Sequence, residues 1–175
     1  MDVTGKTLSV IIPLFNESKR ITKTLPRIES WILEIKERHK IDIELIMIDD
    51  GSTDDTIKII KSSSTYPGTV TFSLPHNQGK GAALKLGFEK AKGDFILFMD
   101  ADLSTPLDNF EEFIRNLPDE KTILIGNRKI KEDLIKIRQN LIRRKLGKIF
   151  TVLCNLILNL HITDYTCGFK LFPRE

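Results

Sequence analysis

Asp100 and Asp102, separated by Ala101, follow directly on Phe95 to Met99, the most apolar strand-like run in the chain. A carboxylate there is costly to bury unless it is paired, hydrogen-bonded or bound to a metal. Two acids in such a turn can converge on one hard cation, since Mg2+ or Mn2+ commonly takes one or two carboxylates plus substrate phosphate oxygens. The same triplet also arises by chance and in helix capping. A second acidic pair stands in Asp49-Asp50-Gly51-Ser52. A carboxylate at that kind of position can accept a bond from a ribose hydroxyl or a base N–H, or it can simply organise the turn and cap the next helix. In Asn77-Gln78-Gly79-Lys80-Gly81 the glycines can allow a tight entry to a helix, with Lys80 expected near an anionic ligand. The segment lacks the spacing of a phosphate loop and the Ser or Thr after the lysine, which disfavours a P-loop NTPase. From Arg128 to Lys148 there are nine basic residues against Glu132 and Asp133, so that the rest of a chain whose total is +3 is net acidic. Such a block suits phosphate-bearing ligands or an anionic membrane, and equally a solvated helix face.

These residues need elements to hold them. Leu8 to Pro13 reads as a buried strand, followed by Ile21, Leu25, Ile28, Ile32 and Ile35 at helix spacing. Ile43 to Ile48 predicts a second strand and Thr56 to Lys61 a short helix, with Ser52 as its N-cap and Asp55 completing a capping box. Thr69 to Leu74 is a third strand, Gly81 to Ala91 a helix, Phe95 to Met99 a fourth strand and Thr122 to Ile125 a fifth. Thr105 and Pro106 mark the start of a helix whose apolar face is Phe110, Phe113, Ile114 and Leu117. Strand-helix alternation of this kind implies an α/β fold, a mostly parallel sheet with helices on both faces. Ligands then bind beyond the carboxyl ends of the strands, where Pro13 to Glu17, Asp49 to Ser52 and Asp100 to Asp102 all fall.

Length and composition fit one folded domain: 175 residues, 41% hydrophobic, with 27 Lys plus Arg against 24 acids. Cys154 and Cys167 cannot form a zinc site alone and make a poor disulfide framework, so a reducing compartment is expected. Met1 to Ser9 lacks a basic-then-apolar leader. Leu146 to Ile162 falls short of a bilayer span and carries Lys148, Asn155, Asn159 and His161. Its apolar residues, Phe150, Val152, Leu153, Leu156, Ile157 and Leu160, can pack on the sheet, or can lie at an anionic membrane surface behind the cationic segment Arg138 to Lys148.

In order along the chain, Val10 to Glu17, Ile46 to Asp54, Asn77 to Gly81 and Asp100-Ala101-Asp102-Leu103-Ser104 resemble the motifs of glycosyltransferase family 2. Gly126-Asn127-Arg128 and Asp164 to Lys170 are similar to its dolichyl- or polyprenyl-phosphate sugar synthase branch, especially the glucosyltransferases. The resemblance implies a Rossmann-like GT-A domain occupying residues 1–175, metal-dependent and inverting, that moves a hexose to a dolichyl or polyprenyl phosphate at the cytoplasmic face of a membrane. Glucose from UDP-glucose is the favoured case. Carried over by position, Pro13, Phe15, Glu17, Ile48 and Asp50 would hold the nucleoside, with Lys80 and Ala101 beside the donor. Asp100 and Asp102 would face the diphosphate and its Mg2+ or Mn2+ as its ligands, with Asp102 favoured over Asp100 as the direct one. Arg128 and Arg143 would contact phosphate, and Asp164 would position the acceptor or serve as an acid, unless it is a cap or an ion-pair partner.

The chain departs from the family pattern at Ser104, where many of these synthases carry Gln, and at Gly147, where a Ser is often found near the acceptor phosphate. It ends at Glu175, where family members continue, so the sequence looks truncated at its C-terminal end. A family 2 transferase acting on a sugar hydroxyl, which would require a general base, is the rival enzyme. A non-catalytic nucleotide- or membrane-binding module is the rival of another class. A nucleic-acid role is disfavoured, because the basic block lacks interleaved aromatics.

Overall fold

The computed structural model describes residues 3–117, 119, 121–126 and 141–174, without the side chains of 141–148. The chain divides into two compact units, Met1–Leu124 with Gly168–Glu175, and Ile125–Cys167.

The first unit is built on apolar strands that place their carboxyl ends along one edge. β1 (Thr7–Leu14) pairs in parallel with β2 (Asp42–Asp49), Thr7 opposite Asp42 and Leu14 opposite Asp49. β2 pairs in parallel with β3 (Thr69–Ser73), and β1 on its other side with β4 (Phe95–Met99). The helices between them are α1 (Ser18–His39), α2 (Thr56–Ser63) and α3 (Lys80–Lys90), and α4 (Asn109–Asn116) follows β4. β5 (Leu124–Ile125) and β6 (Phe169–Pro173) complete a sheet of order β3-β2-β1-β4-β6-β5, with β6 antiparallel to β4. The chain winds outward from β1 to β3 and then returns to lay β4 on the far side of β1. The crevice at that reversal is where open α/β sheets receive ligands.

Both alternations of the central strands are buried, as they must be when each face of a sheet is covered. On one face Ile11, Ile46, Ile48 and Ile96 pack with Ala83 and Ala91 of α3. Gly87 lets that helix close in, because a Cβ there would lie 2.6 Å from the Ile11 Cγ2. Val10, Ile12, Leu45, Met47 and Leu97 fill the opposite alternation and are fully buried. The predicted stripe of α1 is buried throughout, and Trp31 meets Phe110 of α4 edge to face at 5.5 Å.

Two predicted starts are corrected. α2 begins at Thr56 without a side-chain cap, and the Ser52 hydroxyl accepts the Asn16 N–H instead. α4 begins at Asn109, not at Pro106, because the carbonyls of Pro106, Leu107 and Asp108 bond to N–H groups three residues on and make a tight turn. The fifth strand keeps only Leu124–Ile125 of its predicted four residues.

In the second unit α5 (Leu141–Leu158) runs into a segment that folds back on its last turns. The Asn155 side chain bonds both the N–H and the C=O of Ile162 at 3.0 Å and accepts the Tyr165 hydroxyl. Ile149, Phe150, Val152, Leu153, Leu156, Ile157 and Leu160 are exposed, Ile157 by 79%. No described helix is long and apolar enough to cross a membrane.

Candidate donor site at the strand ends

Four loops leave the carboxyl edge of the sheet, and hydrogen bonds between them fix the site. After β1, Asn16 takes a left-handed conformation (φ 53°), and its N–H donates to the Ser52 Oγ while its Oδ1 accepts the Thr53 N–H. The Glu17 N–H donates to the Thr56 Oγ1, and the Ser18 N–H to the Asp54 carboxylate. Withdrawal from water pushes the Asp54 carboxyl up, but the hydrogen bonds from Thr56 and Ser18 outweigh it and hold the value down at about 2. The loops after β1 and β2 are thereby joined through side chains rather than a strand ladder.

The loop after β3 is held by Asp50. This carboxylate is buried, and its two oxygens accept the N–H groups of Gln78 and Gly79, each at 2.8 Å. Gly51 (φ +67°) makes the approach possible, since a Cβ there would fall 2.5 Å from the backbone carbon of His76. Gly79 (φ +91°) then turns the chain into α3 and sets Lys80 at the first helical position.

The loop after β4 carries the acids. The Lys80 Nζ donates to the Asp100 Oδ1 at 2.6 Å and lies 4.8 Å from the centre of the Phe98 ring. The backbone of Gly168 packs against the same carboxylate: its C=O accepts the Asp100 N–H, and an added Cβ would sit 1.8 Å from Oδ2. Asp102 is exposed, and its Oδ1 accepts the Ser104 N–H at 2.9 Å.

A cavity of about 260 Å³ lies between these loops. Of the expected donor residues, Pro13, Phe15, Glu17, Asp50, Lys80, Asp100, Ala101 and Asp102 line it. Ile48 does not; it is fully buried in the core cluster beneath α3. Leu14, Arg20 and Ala83 also line the cavity and were not singled out from sequence. Arg20 could have been found: it stands three residues after Glu17 on the first turn of α1, a spacing that makes side chains neighbours, and its guanidinium engages both Glu17 oxygens. Burial pushes the Glu17 carboxyl above its ordinary value, Arg20 pulls it back, and the negative fields of Asp102 and Asp54 add to the rise. The cavity is thus an acidic site with two cations, Arg20 and Lys80, in its wall.

The donor set fits a divalent cation of a particular kind. Asp100 already has a cationic group on it, the Lys80 ammonium. Among the described residues no three His, Cys, Asp or Glu side chains converge to hold a metal by themselves. A cation here would rest on one or two carboxylates and need oxygens from a ligand, which is how Mg2+ is usually held beside phosphates.

Asp164 lies in the second unit, buried, with its Oδ1 accepting the N–H and hydroxyl of Thr166. The structure therefore gives it a turn-forming role there. Arg143 falls in α5 with its side chain outside the described residues, and Arg128 is outside them altogether. Cys154 and Cys167 are free thiols, the first half-buried and the second buried.

The family described as Glycosyl transferase family 2 matches residues 9–175. A dolichyl-phosphate beta-glucosyltransferase of Trichomonas vaginalis is 34% identical over 94% of this chain and 51% of its own length. The human dolichyl-phosphate beta-glucosyltransferase is 32% identical over 99% of this chain and 57% of its own length. The chain spans about half the length of the curated relatives it matches. A mannosyltransferase of Pyrobaculum calidifontis, solved with GDP-Man and Mn2+, superposes with a TM-score of 0.58. It is 23% identical and covers 71% of this chain and 36% of that one, a likeness that places the fold among the GT-A glycosyltransferases.

Proposed function

The chain belongs to glycosyltransferase family 2, and from that premise we propose that it is the donor-binding part of an inverting hexosyltransferase that moves glucose from UDP-glucose to a dolichyl or polyprenyl phosphate. The observation that carries the reading is the cavity at the reversal of the sheet, where Phe15, Glu17 and Asp50 stand on the β1–β2 side and Lys80, Asp100 and Asp102 on the β4 side. An aromatic ring and two acids suit a nucleoside. The opposite wall suits a diphosphate with a divalent ion. The relatives named as dolichyl-phosphate glucosyltransferases support glucose and the lipid phosphate as the two partners.

In this reading Phe15 packs on the base, Glu17 accepts from polar hydrogens of the base or ribose, and Asp50 holds the Gln78–Gly79 loop while facing the same ligand. Asp100 and Asp102 would hold Mg2+ or Mn2+, which would neutralise charge developing on the departing diphosphate. An oxygen of the acceptor phosphate attacks the sugar C1, the bond from C1 to the diphosphate oxygen breaks, and the nucleoside diphosphate leaves with that electron pair. The acceptor is an anion at neutral pH and needs no general base. The protein's contribution is alignment and fixed charge. Arg128 and Arg143 supply guanidinium groups for phosphate, and Asp164 orders the turn before Gly168. The basic and apolar halves of α5 hold the protein at the cytoplasmic membrane surface where the acceptor's phosphate projects.

Calorimetric titration with UDP and GDP, each with and without Mn2+, tests this reading. Metal-enhanced binding with a preference for UDP is the expected result. A preference for GDP would redirect the sugar to mannose, and binding of neither nucleotide would overturn the proposal.

A further inference from the structure

We infer that Lys80 is a resident counter-cation of Asp100, which a divalent ion must displace, and that this exchange makes metal and nucleotide binding depend on each other. The inference rests on the metal-dependent transferase reading and adds to it a role for a residue in the loop after β3. Both partners of the pair are fixed from behind. Asp100 is backed by Gly168, whose backbone leaves its carboxylate no room to turn away on that side. Lys80 starts α3 directly after Gly79, whose N–H is tied to Asp50. The ammonium sits 2.6 Å from Oδ1 and over the Phe98 ring, on the wall of the cavity itself.

An ammonium at hydrogen-bond distance and a divalent ion at about 2.1 Å compete for one carboxylate, because the two cations repel at close range. Lys80 therefore competes with a metal that arrives alone. It has a four-carbon stem and a half-exposed side chain, so it can swing off Asp100. Once displaced, its charge needs another anion, and the diphosphate that accompanies the metal supplies one in the same cavity. Lys80 opposes the metal alone and favours the metal together with a diphosphate.

The test measures Mn2+ binding by the loss of the free-ion electron paramagnetic resonance signal, with no nucleotide present, in the wild type, Lys80→Met and Lys85→Met. Lys85 is an exposed lysine on the same helix and reports any general field effect. Removing a partly exposed pairing partner should tighten Mn2+ binding in Lys80→Met by about two- to five-fold and leave Lys85→Met unchanged. Calorimetry should show the enhancement of UDP binding by Mn2+ reduced in Lys80→Met by a similar factor, as reciprocal coupling requires. Unchanged or weaker Mn2+ binding in Lys80→Met, an equal gain in Lys85→Met, or no Mn2+ bound by any of the three overturns the inference. Mn2+-enhanced UDP binding that persists in Lys80→Met with unaltered Mn2+ affinity would sink the exchange while leaving the transferase reading intact; loss of all nucleotide binding in the wild type would sink that reading itself.

Discussion

Asp50 and Gly168 show how residues can serve the site without reaching for a ligand. Asp50 was expected to bind the nucleoside, and the structure adds that both its oxygens already accept backbone N–H groups from the next loop. Asp50→Ala would remove the acceptor of two part-buried N–H groups, of which that of Gly79 keeps the Asn77 Oδ1, so it should destabilise the fold by about 1 kcal/mol as well as weaken uridine and UDP alike. Thermal unfolding beside uridine titration separates the two effects, and a wild-type melting temperature would refute the clamp. Gly168 belongs to a motif whose purpose the sequence alone did not reveal. With a Cβ 1.8 Å from Oδ2, Gly168→Ala must push the Asp100 carboxylate aside. The expected outcome is loss of most Mn2+ enhancement of UDP binding, measured by calorimetry, with metal-free UDP affinity little changed. Asp102→Asn should abolish the same enhancement, and a variant that kept it would remove Asp102 from the metal site.

At the scale of elements, the loops after β1 and β2 act as one because Asn16, Ser52, Thr53, Asp54 and Thr56 bond across them. Asp54 makes this junction pH-dependent. Its folded value of about 2 lies below the ordinary 3.8, so its contribution is complete above the ordinary value and is lost as pH falls toward 2. Exposure to solvent limits it to about 1 kcal/mol or less. The stability advantage of wild type over Asp54→Asn should therefore be present at neutral pH and vanish near the folded value, as denaturant midpoints would show. Gly51→Ala should cost about 2 kcal/mol or more, from left-handed strain plus a clash with His76. The central strands and α1 to α3 were legible because continuous apolar runs and a helical stripe are local signals. The capping role given to Ser52 failed because its partner lies 36 residues away on another loop. β6 was not anticipated, since Phe169–Pro173 pairs antiparallel at β4's free side, which a parallel strand-helix alternation does not foretell.

For the molecule as a whole, the two units divide the chemistry that the sequence distributes along the chain: the acids of the cavity lie in the first and the apolar helix in the second. Among the described residues, the second unit has a run of large apolar side chains that are exposed, among them Leu156 at 74% and Ile157 at 79% exposure. Scattered exposed apolar residues need no explanation, whereas a contiguous set on one helix marks an interaction surface. Arg143, Arg144, Lys145 and Lys148 precede that set in the sequence of α5, and charge followed by apolar surface is the pattern of a helix that lies in a lipid interface. Vesicle co-sedimentation should accordingly require anionic lipid and fade as salt rises. Replacing Lys145 and Lys148 by Gln should weaken binding about five-fold per charge, the equivalent of about 1 kcal/mol each. Leu156→Asp with Ile157→Asp should reduce binding further at equal net basic charge on the first half of the helix, without moving the melting temperature, because neither side chain is packed in the fold. Equal binding to neutral vesicles, or insensitivity to both pairs of substitutions, would remove the membrane from the proposed reaction and return the acceptor to a water-borne phosphate or hydroxyl.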